Sequence, residues 1–290
     1  MKLVSYDVEG RWKPGIALGT TVFDVATLLG GQNAVLSTRE LLERFGDALP
    51  QLSQRLTEAA ARMPHAAAGD MATLRLGPPV TDPLKVLCIG LNYNDHVAET
   101  GRALPTHPDV FPKFASTLIG PRDDINCTGI TQNLDFEGEM AVIIGRKCRH
   151  VMEAEALDYV AGLTVLNDIT ARDLQYRGTQ WLAGKSVDGS TPVGPALVTL
   201  DESGDPQTLD ITTRVNGAQV QSSNTRHMIF PVRHLVAYIS FFLELSPGDI
   251  ITTGTPQGIG AKRQPPLWLK AGDLVEVELQ GVGLLRNTVR

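Results

Sequence analysis

Three acids stand close together in otherwise apolar, strand-like sequence: Glu137 and Glu139 in Asp135-Phe136-Glu137-Gly138-Glu139-Met140, and Asp168 in Val165-Leu166-Asn167-Asp168-Ile169. Side chains alternate along a strand, so Glu137 and Glu139 point the same way, roughly 6 to 7 Å apart at the backbone. Phe136, Met140, Val142 and Ile144 fill the other face. Two carboxylates in one small space repel by roughly 2 to 3 kcal/mol at an effective dielectric of about 20, which calls for a cation or a proton if the face is buried. Asp168, from a separate strand, would complete a facial set of oxygens and leave about three positions for water and substrate, as magnesium or manganese prefers. The same Glu-x-Glu spacing also suits a solvated strand face.

A second constellation lies in Gly90-Leu91-Asn92-Tyr93-Asn94-Asp95-His96-Val97-Ala98-Glu99, after a short apolar strand. If this stretch is helical, His96 and Glu99 share a face, and the carboxylate orients the imidazole and raises its basicity. That is general-base geometry; the alternative is an incidental pair on a surface helix. Asp168, Arg172 and Gln175 fall on one face if the chain turns helical after Asp168, and Lys185 follows among small residues in Gly184-Lys185-Ser186. Arg172 could grip a carboxylate bidentately and Lys185 could stand beside a developing oxyanion, or either could be a solvated surface cation. The turn Thr252-Thr253-Gly254-Thr255-Pro256-Gln257-Gly258-Ile259-Gly260 lacks the glycine spacing of a dinucleotide site and a Walker lysine. Its exposed amides and the Thr255 hydroxyl could hold a small anion.

The chain around these residues has 290 positions and a net charge of -6. An acidic balance argues against nucleic acid or an anionic membrane surface as partner, so attraction for an anionic substrate must be local. The N-terminus reaches Asp7 before any apolar run develops, which does not read as a secretory signal. The longest apolar stretch, Leu235 to Leu243, is too short to span a bilayer. Cys88, Cys127 and Cys148 are widely spaced, which fits a reducing cytosol and argues against structural zinc.

The elements that must position the site read as follows. Strands are expected at Lys2 to Tyr6, Pro14 to Leu18 and Thr21 to Val25. A helix should start at the capping box Ser37-Thr38-Arg39-Glu40 and end at Gly46, with a second over Leu49 to Met63. Alanine, glycine and proline between Pro64 and Pro83 mark a boundary, with a possible strand at Thr73 to Leu76. Beyond it the chain is mostly β: Val86 to Ile89, Met140 to Ile144, Leu163 to Leu166, Ala196 to Thr199, Leu209 to Val215, Ile250 to Thr253, Leu274 to Leu279 and Leu284 to Val289. Asn216-Gly217 signals a two-residue hairpin. Helices are expected over Glu153 to Tyr159 and Val232 to Leu243. Without regular βαβ alternation, a doubly wound parallel sheet is not expected.

From about Lys85 to the C-terminus the chain resembles the fumarylacetoacetate hydrolase family. The resemblance rests on Gly90 to Glu99, Phe111-Pro112-Lys113-Phe114 with Leu118-Ile119-Gly120-Pro121, Glu137-x-Glu139, Asn167 to Gln175, Gly184-Lys185-Ser186, and Thr253-Gly254-Thr255-Pro256-x-Gly258-x-Gly260. It implies an α+β, mostly β fold: a mixed β-roll catalytic domain (76–290) with a small N-terminal α+β domain (1–75), assembled as a homodimer. It implies magnesium or manganese, sometimes calcium, bound by Glu137, Glu139 and Asp168. It also implies His96 and Glu99 as a base dyad on a segment that orders as a lid, Lys185 as oxyanion stabiliser, and Arg172, Gln175, Thr255 and Tyr93 near the substrate. Leu91 stands where one branch of the family carries arginine, and the stretch from Gln175 to Lys185 is short.

The function this implies is a cytosolic, metal-dependent hydrolase cutting a carbon-carbon bond in a 2,4-dioxo acid, such as fumarylpyruvate or a 2,4-diketo-3-deoxy sugar acid, to release pyruvate or a related acid. Decarboxylation of oxaloacetate is the nearest rival, since it needs only enolate stabilisation. Hydratase, isomerase or lyase chemistry on related 2-oxo acids follows. A non-catalytic, metal-stabilised oligomer would need the three acids but have no use for His96 and Lys185.

Overall fold

The computed structural model describes residues 1–31, 37–127 and 129–290. Its frame is a mixed, eleven-stranded sheet whose central strands are buried on both faces. From one edge the order is Ala67–Asp70, Thr21–Asp24, Arg11–Leu18, Lys2–Val8, Thr191–Thr199, Val160–Asn167, Gly138–Ile144, Ile250–Thr252, Val86–Gly90 and Asp109–Lys113, with Leu118–Ile119 pairing off this path against Thr191–Thr199. Along that path only Ile250–Thr252 and Val86–Gly90 run parallel. The mostly β character expected from the sequence is what the structure has.

Alternation along Gly138–Ile144 sorts its residues between two cores. Met140, Val142 and Ile144 pack with Ile211, Val277 and Leu285, so a four-stranded antiparallel sheet (Ala218–Asn224, Asp210–Val215, Leu274–Leu279, Gly283–Thr288) covers that face. Ala141 and Ile143 pack with Leu41, Leu42, Leu52 and Leu56 from the helices Thr38–Phe45 and Leu49–Arg62. Residues of the first part of the chain therefore cover one face of the sheet that carries the later strands, and Lys2–Val8 hydrogen-bonds Thr191–Thr199 directly.

Local chemistry explains most element ends. Ser37 Oγ accepts from the Glu40 amide at 3.2 Å and starts the Thr38–Phe45 helix as a cap should. Gly46 does not end it in a left-handed turn: its φ is -58°, and the chain runs on into a 3₁₀ turn over Gly46–Ala48. Glycine is required there for contact, because a Cβ would sit 1.9 Å from the Gly145 carbonyl oxygen. The strand expected at Thr73 to Leu76 is replaced by Ala67–Asp70; Asp70 accepts from the Ala72 amide at 2.7 Å and commits the following residues to a turn. Only Leu76 bridges, to Tyr6. Glu153–Tyr159 forms 3₁₀ turns, and Val232–Phe242 an α-helix.

Candidate active site

Strand register builds the acid cluster. Gly138–Ile144 and Val160–Asn167 are antiparallel with Asn167 opposite Gly138, so Asp168, one residue past its strand, arrives beside Glu137, one residue before its own. The Asp168 amide donates to the Glu137 carbonyl at 2.8 Å, and the Glu137 amide donates to Asn167 Oδ1 at 3.0 Å. One carboxylate oxygen each from Glu137, Glu139 and Asp168 then lie within 4.8 Å of one another, and all three residues are buried. The solvated-face alternative is thereby removed.

Buried bases meet these acids. Lys185 Nζ donates to Glu137 Oε2 and Asp168 Oδ2, each at 2.6 Å, and lies 5.3 Å from the centre of the Phe111 ring. Lys113, fully buried, donates to Asp168 Oδ1 at 2.7 Å. Arg172 donates to Glu137 Oε1 at 2.5 Å, Asp135 Oδ2 at 2.8 Å and Gln175 Oε1 at 3.0 Å. Its fork is largely committed, so the structure makes Arg172 a brace for Glu137 rather than a free grip for a substrate carboxylate. Burial pushes the Glu137 carboxyl up, but Lys185 and Arg172 outweigh it and hold it down at about 2.

Glu139 differs. It accepts from the Gly254 amide at 2.8 Å, and no ion pair among the described residues joins it to a cationic side chain. Burial, together with Asp168 and Glu137, pushes its carboxyl well above the ordinary range. A buried carboxylate held against two others is short of positive charge, and a hard divalent cation on this all-oxygen donor set would supply it. The residues fit the metal that the sequence implied.

Across the cavity His96 sits on the helix Asn94–Thr100, with Nδ1 3.1 Å from Glu99 Oε2. Glu99 Oε1 accepts from the Gly258 amide at 2.9 Å. Assigning the Nδ1 proton to this hydrogen bond leaves Nε2 as the lone-pair nitrogen. His96 is 6% exposed and lines a cavity of about 650 Å³ together with Glu137, Glu139, Lys185, Gln175 and Thr255. Arg172 also lines it; Asp168 lies beneath.

Two expectations change. Tyr93 is fully buried in the core with Ile89 and Met140 and does not itself line the cavity, and its hydroxyl has no partner among the described residues. It lies just before the helix that carries His96. The amides of the Gly254 to Gly260 turn do not await an anion: Gly254 is held by Glu139, Gly258 by Glu99, and Gly260 with Ala261 by Asp135. This turn fixes the site's own carboxylates. Thr255 is placed as expected on the wall, donating to the Gly138 carbonyl at 3.0 Å and accepting from Gln221 at 2.8 Å. Lys113, Asp135 and Gln221 were not assigned roles from sequence. A lone lysine in Val110-Phe111-Pro112-Lys113-Phe114 was the available signal for the first.

The fumarylacetoacetate (FAA) hydrolase C-terminal family matches residues 85–290. A mitochondrial oxaloacetate tautomerase of Rattus norvegicus is 42% identical over 295 residues, spanning 100% of this chain and 91% of the relative. Among solved structures, fumarylacetoacetate hydrolase from Exiguobacterium antarcticum superposes with a TM-score of 0.84 at 34% identity, covering 100% of this chain and 99% of that one. Maleylpyruvate hydrolase from Sphingobium sp. SYK-6, in complex with manganese(II) and pyruvate, gives 0.78 at 28% identity, covering 100% and 98%.

Proposed function

The chain belongs to the fumarylacetoacetate hydrolase family, whose enzymes act on oxo acids, and on that premise we propose that it moves a proton between C3 and the 2-oxygen of a 2-oxo acid the size of oxaloacetate. The observation that carries this reading is the His96–Glu99 dyad on the cavity wall facing the acid cluster: one oriented base, which is all that enol–keto exchange requires. The rat tautomerase, similar along the whole chain, supports the same reaction class.

When bound by Glu137, Glu139 and Asp168, a divalent cation supplies Lewis-acid polarisation for the 2-oxo carboxylate. The rest falls to the chain. His96 Nε2 holds the proton that moves to or from C3, and Glu99 at Nδ1 stabilises the imidazolium that forms. The Gly258 amide keeps Glu99 in place. Lys185 has one N–H left after Glu137 and Asp168, and directs it at oxygen where enolate charge develops. Thr255 and Gln175 offer polar wall atoms that orient the substrate.

Hydrolysis of a 2,4-dioxo acid is the second reading, supported by the maleylpyruvate hydrolase structure; there His96 would take its proton from water instead. The decisive assay follows the ultraviolet absorbance of enol-oxaloacetate with protein and magnesium or manganese, beside pyruvate release from acylpyruvates. Faster loss of the enol without pyruvate release is expected. Pyruvate release from a 2,4-dioxo acid with no effect on the enol would overturn the first reading in favour of the second.

A further inference from the structure

On the cavity wall two aromatic rings in contact stand between two cations. Lys185 Nζ lies 5.3 Å from the Phe111 ring centre, Phe111 meets Trp181 edge-on at 5.4 Å, and the Arg102 guanidinium carbon lies 5.6 Å from the Trp181 ring centre. All four side chains line the cavity. Two backbone features allow this. Gly90, which closes the Val86–Gly90 strand, lets the indole pack close against the strand end, since a Cβ there would lie 2.5 Å from the ring. Gly101, left-handed at φ 70°, ends the Asn94–Thr100 helix and turns the chain so that Arg102 faces Trp181.

The two cations differ in what their charges do. Lys185 is buried and committed to Glu137 and Asp168. Arg102 is exposed and has no acidic partner among the described residues; its guanidinium lies over the indole. Of the other cations on the cavity wall, Arg172 is taken by Asp135 and Glu137, and Lys262 is exposed on the turn Gly260–Lys262. A guanidinium stacked on a ring keeps its in-plane N–H donors free and has already lost much of its rotamer freedom, which suits a two-pronged grip on a carboxylate.

We propose that Arg102, shelved on Trp181, binds the far carboxylate of a 2-oxo dicarboxylate whose 2-oxo end lies at the acid cluster, and so sets the enzyme's preference for diacids over monoacids. This rests on the function proposed above for where the 2-oxo end sits, and its test does not depend on turnover. Oxaloacetate and 2-oxobutanoate have the same chain length and differ only in a terminal carboxylate or methyl group.

Calorimetric titration of both acids into the magnesium-loaded protein gives the preference as a ratio of dissociation constants. For the wild type a ratio of about 10 or more in favour of oxaloacetate is expected, the scale of a charge-assisted hydrogen bond. Arg102→Gln should bring the ratio close to one, chiefly by weakening oxaloacetate, and Arg102→Lys should restore part of it. Equal weakening of both acids, or a ratio unchanged in Arg102→Gln, would overturn the proposal, as would a preference that disappears in Lys262→Gln and survives in Arg102→Gln. If the wild type shows the preference and loses it in Arg102→Gln but accelerates neither enol loss from oxaloacetate nor deuterium exchange at C3 of 2-oxobutanoate, Arg102 stands and the tautomerase reading falls.

Discussion

The acid cluster under the cavity and the helix that faces it hold their groups by different means. Glu137, Asp168 and Lys185 each have two or more polar partners and are 6% exposed or less; the two acids lie at the ends of paired strands and Lys185 closes the short helix Leu182–Lys185. His96 stands on a seven-residue helix, and its orientation depends on Glu99, which depends in turn on the Gly258 amide. Seven residues make too short a helix to be stable alone, so its position is set by what it packs against. In the cluster, therefore, catalysis and folding share the same contacts, whereas along the helix they separate. Mutations should reveal that contrast as stability lost with activity in one region and activity lost alone in the other.

The largest effect is expected at Lys113. Lys113→Met leaves Asp168 with one cationic partner in a fully buried position, and breaking such a pair costs about 3 kcal/mol or more. Urea unfolding should show that loss together with near-complete loss of turnover. A variant with wild-type stability would mean that the cluster is not held together as its hydrogen bonds indicate.

Chelation comes next, because it would strip a divalent ion from the cluster without touching a contact in the helix. Activity should fall to background in a strong chelator and return with magnesium or manganese. Glu139 also sets a sign for stability. Its carboxyl is pushed up by burial and by Asp168 and Glu137, so the folded, metal-free protein holds that proton more tightly than the unfolded chain does. Metal-free protein should lose stability as pH rises above the ordinary carboxylate range, and a divalent ion should reverse the loss. Thermal melts across pH with and without manganese check this; a melting temperature indifferent to manganese would remove the ligand assignment.

His96→Ala should lower the rate of enol–keto exchange by about 100-fold, the usual scale for a general base, while the melting temperature stays near that of the wild type. A large fall in stability would erase the contrast between the two regions.

The parts legible in the sequence were those with local signals. Glu137, Glu139 and Asp168 announced themselves as acids inside apolar strands, and the hairpin at Asn216-Gly217 forms with both residues at positive φ, 51° and 80°. Ser37 caps its helix as read. Long-range pairing left no such trace: Lys2–Val8 joins Thr191–Thr199, and neither segment's own residues indicate the other. For Arg172 the spacing to Gln175 was visible in the sequence, but its partner Asp135, on another element, was not. Tyr93 shares the GLNYxDH stretch with His96, and only packing shows that it points into the core.

The smallest expected effect tests the weakest link of the helix. Glu99→Gln keeps the size and shape of the side chain, and its amide oxygen can still accept from the Gly258 amide or from His96 Nδ1. What disappears is the negative charge that favours the imidazolium formed when His96 holds the moving proton. The maximal rate should fall by about 10-fold, within the scale of a hydrogen bond to a charged group, while KM and the melting temperature change little. A double-mutant comparison should report the change directly. In a His96→Ala background the further change Glu99→Gln should leave the residual rate almost untouched, because the charge acts only through the imidazole. An equal fall in both backgrounds would make Glu99 a structural prop, and the dyad would then have to be redrawn around His96 alone.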